Sequence, residues 1–314
     1  MRMRYGLGAL LAAVALAGCG GQSDSSAQDD ITPKDYNAPV IQSVSLLADT
    51  NGAVVAKGES GKQQITLQMR AVDDIDTTAF CLGKSSTAPK ASDSCFLANA
   101  VQTINVGPLW RVYARDAAGN ISMPSVVRGP CSEAAYAASD SSSQPTVCLL
   151  TSDGEIVVAL DTKASNTVTN FSKYVADGFY AGTLFHRIMS NFMVQGGGFE
   201  LADGERVKKP PTYDPIELEK TSDTGLSNVV GSIAMARSTE SNSATSEFFI
   251  NVVNNSSTLD ASLSGDGYAV FGRVIYGLDT AVQAIRNKAV INNGANEISQ
   301  PVDDLFIFWA YQMK

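Results

Sequence analysis

The chain has 314 residues, more than one ordinary domain requires, so two folded units are expected. Its apolar content of 44% is that of a globular protein, whereas its formal net charge of −9 argues against nucleic acid as a partner, because nucleic-acid binding needs a basic surface. The composition therefore allows sizeable cores and gives no sign of a nucleic-acid ligand.

The N-terminal residues have the order of a secretory signal. Two arginines in residues 1–4 precede an apolar run at 7–17 that is too short to span a bilayer comfortably. The segment LAGC at 16–19 resembles a bacterial lipobox, in which Cys19 becomes the lipidated first residue of the mature protein. The simpler alternative is an ordinary signal peptide followed by an unrelated cysteine. Residues 19–37 contain almost nothing to bury and are interpreted as a flexible tether.

The lipobox resemblance implies a location. Two or more acyl chains, such as palmitate, are needed for stable anchoring, so Cys19 is expected to hold the chain at a lipid bilayer. Gly20, rather than an aspartate, follows the cysteine and favours the outer membrane. We therefore expect a lipoprotein of the bacterial cell envelope that faces the periplasm.

The remaining cysteines agree with export. Apart from Cys19 there are four, Cys81, Cys95, Cys131 and Cys148, and an even number in an oxidising compartment predicts disulfides. Three connectivities are possible, and Cys81–Cys95 with Cys131–Cys148 is preferred because each pair closes a short loop. No cysteine pair has zinc-like spacing and His186 is the only histidine, so no metal site is expected.

Residues 38–130 have a strand-rich pattern. Apolar or alternating runs at Val40–Leu47, 64–71 and 110–114 are separated by Asp, Gly, Asn and Pro. The segment YARDAAGN at 113–120 resembles a sequence common near the end of bacterial immunoglobulin-like domains, which implies a small β-sandwich. We expect this unit to be a spacer or a binding module. Residues 131–146 are Ser/Ala-rich and are predicted to be a linker.

The pattern changes after the predicted linker. Apolar strands at 147–151 and 155–160 meet at Asp153-Gly154, a strong hairpin signal. Two sets of apolar residues have helical spacing, and Gly178 ends the first of the two helices: Val168, Phe171, Tyr174 and Val175, then Leu278, Val282 and Ile285. Two helices among many strands predict a closed barrel or sheet with capping helices.

The most informative segment is FHRIMSNFMVQGGGF at 185–199. Arg187 lies within an otherwise apolar strand, where a charge is costly to bury without a partner. Gln195 follows eight positions later, before three glycines that allow close approach to the backbone. Taken alone, this pattern also fits an edge-facing arginine followed by a glycine-rich bend.

Three ordered blocks resemble the cyclophilin signature, and those of bacterial periplasmic cyclophilins in particular. They are the segment at 185–199, then GSIAMAR at 231–237 with SATSEFFINV at 243–252, and finally Leu259-Asp260 with YAVFGRV at 268–274. The resemblance covers residues 147–314. It implies a mainly β fold, a closed barrel with two capping helices, and peptidyl-prolyl cis–trans isomerase activity without a cofactor.

The resemblance also implies roles for individual residues. Arg187 corresponds to the catalytic arginine, and Gln195 to the glutamine that hydrogen-bonds the substrate backbone. Tyr268 stands where many eukaryotic members have histidine, and Arg237 is expected to act more through its backbone than its side chain. The full expected substrate-binding set is Phe192, Met193, Gln195, Ala236, Arg237, Glu247, Phe249, Leu259 and Tyr268. His186 is expected to support the fold rather than the chemistry.

Three positions depart from the family pattern. Glu247 replaces the usual glutamine beside the groove, which is expected to bring a carboxylate into the neighbourhood of Arg187. Thr258 stands where many members have a large aromatic residue that contacts cyclosporin, so weak drug binding is expected. Gly198 replaces an acidic residue, as it does in the periplasmic type.

Three functions are compatible with these residues. The favoured one is an isomerase, a monomer that binds proline-containing polypeptides and assists the folding of exported proteins. The second is a proline-peptide-binding or chaperone-like envelope lipoprotein with little turnover, in which the N-terminal unit selects the partner. The third, a structural lipoprotein with a vestigial cyclophilin domain, is disfavoured because Arg187, Phe192, Met193 and Gln195 are all present.

Overall fold

The computed structural model describes most of the chain from residue 35 onward. The described ranges are 35–48, 56–57, 63–74, 76–85, 87–106, 110–262 and 265–314. Cys19, the predicted signal and most of the predicted tether lie outside them. Tyr36–Lys314 form one compact unit. Within the described ranges, no helix is both long enough and apolar enough to cross a bilayer.

The N-terminal strands form two antiparallel sheets. One has the order β1-β3-β2 with β5 also paired to β3, and the other has the order β4-β6-β7. The strands are β1 Val40–Leu47, β2 Ala56–Lys57, β3 Gln63–Val72, β4 Thr77–Gly83, β5 Val101–Asn105, β6 Arg111–Asp116 and β7 Ser125–Val126.

The two N-terminal sheets share a core. Alternate residues of β3 are buried, Ile65, Leu67 and Met69, and they lie in one cluster with Phe80 of β4 and Val112 of β6. This period-two burial is what a strand with one core-facing side produces. The expected sheet-rich N-terminal region is therefore present, while its immunoglobulin type stays a prediction.

The segment predicted as a linker instead contains a helix, α1 Glu133–Asp140. The Ser132 side chain caps this helix by accepting a hydrogen bond from the backbone N–H of Ala135, and Ala135 is fully buried. The Ser/Ala composition that suggested a linker is also that of a short capped helix, because alanine is the best helix former and serine a preferred N-cap.

The second half of the chain forms the closed barrel. Eight strands have the order β10-β18-β8-β9-β15-β13-β14-β11, pairing of β10 with β11 closes the ring, and β12 extends from β11. The strands after β7 are β8 Thr146–Thr151, β9 Gly154–Leu160, β10 Thr183–Met189, β11 Met193–Ala202, β12 Glu205–Lys208, β13 Ser232–Met235, β14 Phe248–Asn251, β15 Val270–Tyr276, β16 Val290–Asn292, β17 Ile298–Pro301 and β18 Phe306–Gln312.

Helices cover the barrel as expected. The first predicted helix is α2 Ser165–Ala176, which buries Phe171, Tyr174 and Val175 in the barrel core. The second begins with a π-helical turn, Leu278–Val282, and continues as a single α turn. That α turn is α5 Gln283–Arg286, and the described ranges also contain a 3-10 helix, Thr162–Ala164, and two further single turns, α3 Thr221–Thr224 and α4 Ser256–Leu259.

Two disulfides are present, with the connectivity preferred from the sequence: Cys81–Cys95 and Cys131–Cys148. Cys148 lies in β8 and belongs to the same buried cluster as Ile65 and Val112, together with Trp309 of β18. The outer face of the barrel and the N-terminal sheets therefore share apolar contacts.

Candidate functional site

The strand register places three predicted site residues in one row. Arg187 of β10 pairs with Gln195 of β11, and Gln195 pairs with Phe249 of β14. Because directly paired residues on neighbouring strands are adjacent on the same face of a sheet, these side chains lie side by side on the barrel surface. Strand pairing thus brings Gln195 and Phe249, which follow Arg187 by eight and 62 residues, into one row with it.

Arg187 and eight of the nine expected substrate-binding residues surround one cavity of about 120 Å³. Its lining consists of Arg187, Phe192, Met193, Gln195, Ala236, Arg237, Phe249, Leu259 and Tyr268. Met193, Phe249 and Leu259 are buried and form an apolar cluster beneath it. The cavity therefore combines an apolar floor with a guanidinium and an amide at its side, which suits a small apolar ring attached to a polar backbone.

The aromatic wall is fixed by Arg237. The rings of Phe249 and Tyr268 meet edge to face at 5.6 Å, and the Arg237 guanidinium lies over Tyr268, 4.7 Å from the ring centroid. Arg237 also donates hydrogen bonds to the backbone carbonyls of Gly267 and Ser238, each at 2.9 Å. Its side chain is thus committed to holding Tyr268 in place.

The turn before β11 is held by a buried amide. Asn255 donates from Nδ2 to the carbonyl of Phe192 at 2.8 Å and to Oδ1 of Asn251 at 2.6 Å. Asn251 in turn donates to Oδ1 of Asn228 at 3.1 Å and to the Ser232 hydroxyl at 2.9 Å. Thr258 donates to the Asn255 carbonyl at 3.1 Å and belongs to this supporting layer. Buried amides that are all satisfied in this way give the cavity a rigid rim.

Arg187 is held by a carboxylate that sequence analysis did not identify. Its Nε and Nη2 each donate to one oxygen of Glu297 at 2.7 Å, a two-point ion pair between residues 110 positions apart. Its Nη1 donates to Oε1 of Gln195 at 3.3 Å. The hydrogen bond from Arg187 lowers the pKa of the Glu297 carboxyl to about 2, so this carboxylate is charged at any neutral or mildly acidic pH.

Glu247 does not pair with Arg187, although the sequence placed it in that neighbourhood. It accepts a hydrogen bond from Nε2 of Gln195 at 2.9 Å, and its oxygens lie 3.4 Å from Nε2 of His186 and 3.8 Å from Nζ of Lys208. Burial alone would raise the pKa of Glu247, but the hydrogen bonds from His186 and Gln195 and the nearby charges hold that pKa below its usual value. Glu247 thus lies behind Gln195 and fixes the orientation of its amide.

Two of the departures from the family pattern are coupled. A Cβ atom added to Gly198 would lie 2.3 Å from Cγ of Glu247, closer than non-bonded carbon atoms approach. The space that an acidic side chain at position 198 would need is therefore filled by Glu247. The presence of both Gly198 and Glu247 in the sequence could have predicted this contact, but the two departures were interpreted separately.

His186 lies beside the site rather than in the cavity lining. Its ring packs against Phe199 with centroids 4.4 Å apart, and its polar contact is the one with Glu247. Its role as a supporting residue stays a prediction.

The comparisons with known proteins agree on one family. Residues 146–304, half of the chain, match the family model described as cyclophilin type peptidyl-prolyl cis-trans isomerase/CLD. Peptidyl-prolyl cis-trans isomerase A of Dickeya dadantii is 49% identical over 136 residues, which are 43% of this chain and 68% of the relative. Peptidyl-prolyl cis-trans isomerase B of Escherichia coli is 42% identical over 160 residues, 50% of this chain and 93% of the relative.

A third relative extends the comparison to another genus. The peptidyl-prolyl cis-trans isomerase of Acinetobacter baylyi is 45% identical over 152 residues, 48% of this chain and 77% of the relative. The residues matched by the family model begin with β8 and end just before β18, so they include seven of the eight barrel strands and every residue that lines the cavity. The three relatives bear the name of one enzyme. The chain therefore belongs to the family of cyclophilin-type peptidyl-prolyl cis-trans isomerases.

Proposed function

We propose that Arg187 accelerates prolyl isomerisation by stabilising the twisted form of the X–Pro amide. The observation that supports this most strongly is that its guanidinium lines the same 120 Å³ cavity as the buried residues Met193, Phe249 and Leu259. A proline ring that enters this cavity brings its own amide nitrogen next to a hydrogen-bond donor.

The chemistry requires no nucleophile and no general base. Resonance gives the X–Pro bond partial double-bond character, with a barrier of about 20 kcal/mol, so uncatalysed exchange takes roughly tens to hundreds of seconds. In the twisted transition state the prolyl nitrogen becomes pyramidal and regains a lone pair. A guanidinium N–H that donates to this lone pair binds the twisted amide more tightly than the planar one, and that difference lowers the barrier.

The surrounding residues determine how well this works. Phe192, Met193 and Phe249 exclude water from the ring and so strengthen the electrostatic contact. Gln195 donates from Nε2 to Glu247 and accepts at Oε1 from Arg187, which leaves one Nε2 hydrogen for the carbonyl of a bound peptide. The amide thus serves as a fixed anchor for the substrate backbone.

We further propose that the enzyme acts on proline-containing polypeptides exported to the bacterial envelope, as a monomer anchored through acylated Cys19. Two disulfides support this location, because such bonds persist in oxidising compartments. The lipobox-like segment at 16–19 supports the anchor. Palmitate labelling of the full chain expressed in a bacterium, compared with Cys19→Ala, tests it: label retained by the variant contradicts an anchor at this residue.

A binding protein with little turnover is the second candidate, and one observation favours it. The Arg187 guanidinium already donates to oxygen atoms of Glu297 and Gln195, so part of its hydrogen-bonding capacity is occupied before substrate arrives. Such a protein would bind prolyl peptides in the cavity but exchange their isomers slowly.

The rate of isomerisation separates the two candidates. The exchange of a short peptide with a single X–Pro bond is measured by NMR with the full-length protein and with Arg187→Ala. Removal of one transition-state donor is expected to lower kcat/KM by about 100-fold or more. Arg187→Lys keeps the charge and is expected to recover little of the rate, because lysine lacks the planar fork.

The controls make the outcome decisive. Arg115→Ala, in the N-terminal sheets, removes an arginine outside the cavity and is expected to keep the wild-type rate. Equal rates for the wild type and Arg187→Ala would refute the proposed mechanism. Binding of the peptide without any exchange above background would support the binding protein instead.

A further inference from the structure

The hairpin formed by β16 and β17 presents the Glu297 carboxylate to Arg187. Strands β16 and β17 pair with each other, and their connecting turn contains Gly294 and Asn296 at positive φ. Asn293 ties the turn together: its backbone N–H donates to the Glu297 carbonyl at 2.9 Å, and its Oδ1 accepts from the N–H of Glu297 at 3.3 Å. The backbone of Glu297 is therefore anchored, and its side chain starts from a defined position.

The hydrogen-bond partners of the Arg187 guanidinium show which of its N–H groups remain available to a substrate. A guanidinium has five N–H donors in a fixed plane. Two donate to Glu297 and one to Gln195, while Nη2 also faces the Met189 sulfur at 3.2 Å and Nη1 the Met193 sulfur at 3.9 Å. Thioether sulfur is a weak acceptor. A substrate therefore most easily hydrogen-bonds the N–H groups that face only sulfur, because the contact it replaces is weak.

The direction of these two donors is set by Glu297. Since the guanidinium is planar, fixing Nε and one Nη2 hydrogen on two carboxylate oxygens fixes the whole fork. Met193 lines the cavity, so the Nη1 hydrogen that faces its sulfur points to the cavity side. Without the carboxylate, the guanidinium is free to turn about its flexible stem and to hydrogen-bond water.

A contribution to stability does not explain this ion pair well. The side chains of Arg187 and Glu297 are 30% and 32% exposed, and ion pairs of such exposure contribute only about 0–1 kcal/mol to folding. Arg187 lines the cavity and Glu297 does not, so the carboxylate lies on the side of the guanidinium away from the cavity lining, where it can fix the orientation of the arginine.

We infer that Glu297 is a positioning residue that aims the Nη1 edge of Arg187 at the prolyl nitrogen; this rests on the proposed role of Arg187. The residue acts through the arginine and touches no substrate atom. Its loss misaligns the donor in the transition state while leaving the apolar cavity that binds the ring intact. The effect therefore falls on kcat more than on KM.

Glu297→Gln is the most direct test, because it keeps the shape of the side chain but removes the charge and one of the two acceptors. With the full-length protein we expect kcat to fall about tenfold and KM to change less than twofold. Glu297→Asp retains a carboxylate and is expected to recover part of the loss. In an Arg187→Ala background, Glu297→Gln should change nothing further, because Glu297 acts only through that arginine.

Asp304→Asn is the matched control, since Asp304 makes a 2.7 Å ion pair with Arg206 and neither residue lines the cavity. It should leave kcat and KM unchanged. The NMR signal of the Arg187 Nε–H provides an independent readout, and it should exchange with water much faster in Glu297→Gln than in the wild type.

The outcomes separate the two proposals. If Arg187→Ala is as active as the wild type, the mechanism itself fails. If Arg187→Ala is inactive but Glu297→Gln keeps the wild-type kcat, only the positioning role fails. An increase of kcat/KM in Glu297→Gln also overturns the inference, because the carboxylate would then compete with substrate for the guanidinium.

Discussion

The N-terminal sheets and the barrel each place a half-buried arginine in a mostly buried strand, and the two arginines have different surroundings. Arg115 of β6 lies 4.7 Å from the Phe96 ring centroid and donates to the backbone carbonyl of Ala91. Arg187 of β10 donates to a carboxylate and an amide, faces two thioether sulfurs and lines a cavity. In both strands, these contacts offset the free-energy cost of partly burying the charged side chain.

This comparison shows what makes a strand arginine functional. Arg115 is packed on a ring and bonded to the main chain, as a structural arginine should be. Arg187 keeps two donors on weak acceptors beside an apolar cavity, where a stronger acceptor from a substrate replaces them. The availability of donors beside a cavity, rather than burial or strand position, distinguishes the two residues.

The largest expected effect on stability comes from removing the disulfide of the N-terminal region, Cys81–Cys95, and it tests whether the N-terminal sheets and the barrel unfold together. The double variant Cys81→Ser/Cys95→Ser opens a loop with a sequence separation of 14 and is expected to lower the free energy of unfolding by about 3 kcal/mol. Because the N-terminal sheets share a buried cluster with Cys148 and Trp309 of the barrel, we expect both regions to unfold together. Urea titrations followed by circular dichroism and by isomerase activity should give the same lowered midpoint.

Two results bear on this expectation. Cys131→Ser/Cys148→Ser, which opens a loop of separation 17, is the matched variant and should cost a similar amount. If activity survives to the wild-type urea concentration while the circular dichroism midpoint falls in Cys81→Ser/Cys95→Ser, the two regions unfold independently and the shared cluster contributes little cooperativity.

The middle-sized effect comes from Arg115 itself. Arg115→Ala removes a cation–π contact and a hydrogen bond, and it is expected to lower the free energy of unfolding by about 1–2 kcal/mol while kcat/KM stays within twofold of the wild type. Chemical denaturation and the NMR exchange assay measure the two quantities. A loss of catalytic rate as large as that of Arg187→Ala would contradict the distinction drawn between the two arginines.

Much of the barrel was predictable from the sequence, because its signals are local. The expected hairpin of β8 and β9 is present, although its two turn residues are Ser152 and Asp153 because Gly154 already pairs with Thr151. Phe171, Tyr174 and Val175 lie on the buried face of α2 as their spacing predicts. The cavity residues were found through resemblance to a family. Without the resemblance, the pattern around Arg187 also fitted an edge-facing arginine, and Arg115 lay just after the predicted strand at 110–114.

The contacts that the sequence did not predict are long-range or ambiguous. Glu297 reaches Arg187 across 110 positions from a polar turn, and a glutamate in such a turn is ordinarily a solvated surface residue. Glu247 was placed near Arg187, but the register of β11 puts Gln195 between them. Residues 131–146 were interpreted as a linker because serine and alanine suit both a linker and the capped helix α1.

The smallest expected effect is electrostatic, and it is measured by titrating the Glu297 carboxyl of the ion pair with Arg187. The pKa of the Glu297 carboxyl is lowered to about 2 by its hydrogen bonds from Arg187. In the unfolded chain a glutamate has a pKa of about 4.3, so the contribution of the pair to folding is fully present above that pH and is lost as the pH falls through about 2. The carboxyl carbon shift of Glu297, followed by NMR against pH, should titrate well below pH 4 in the wild type.

Arg187→Ala is the informative variant for this titration. Without the guanidinium, the pKa of Glu297 should return towards its ordinary value, whereas the pKa of Glu247, held low by His186 and Gln195, should move less. If Glu297 titrates at its ordinary pKa in the wild type, the two-point ion pair is not populated in solution, and Glu297 then does not hold the guanidinium of Arg187 in a fixed orientation.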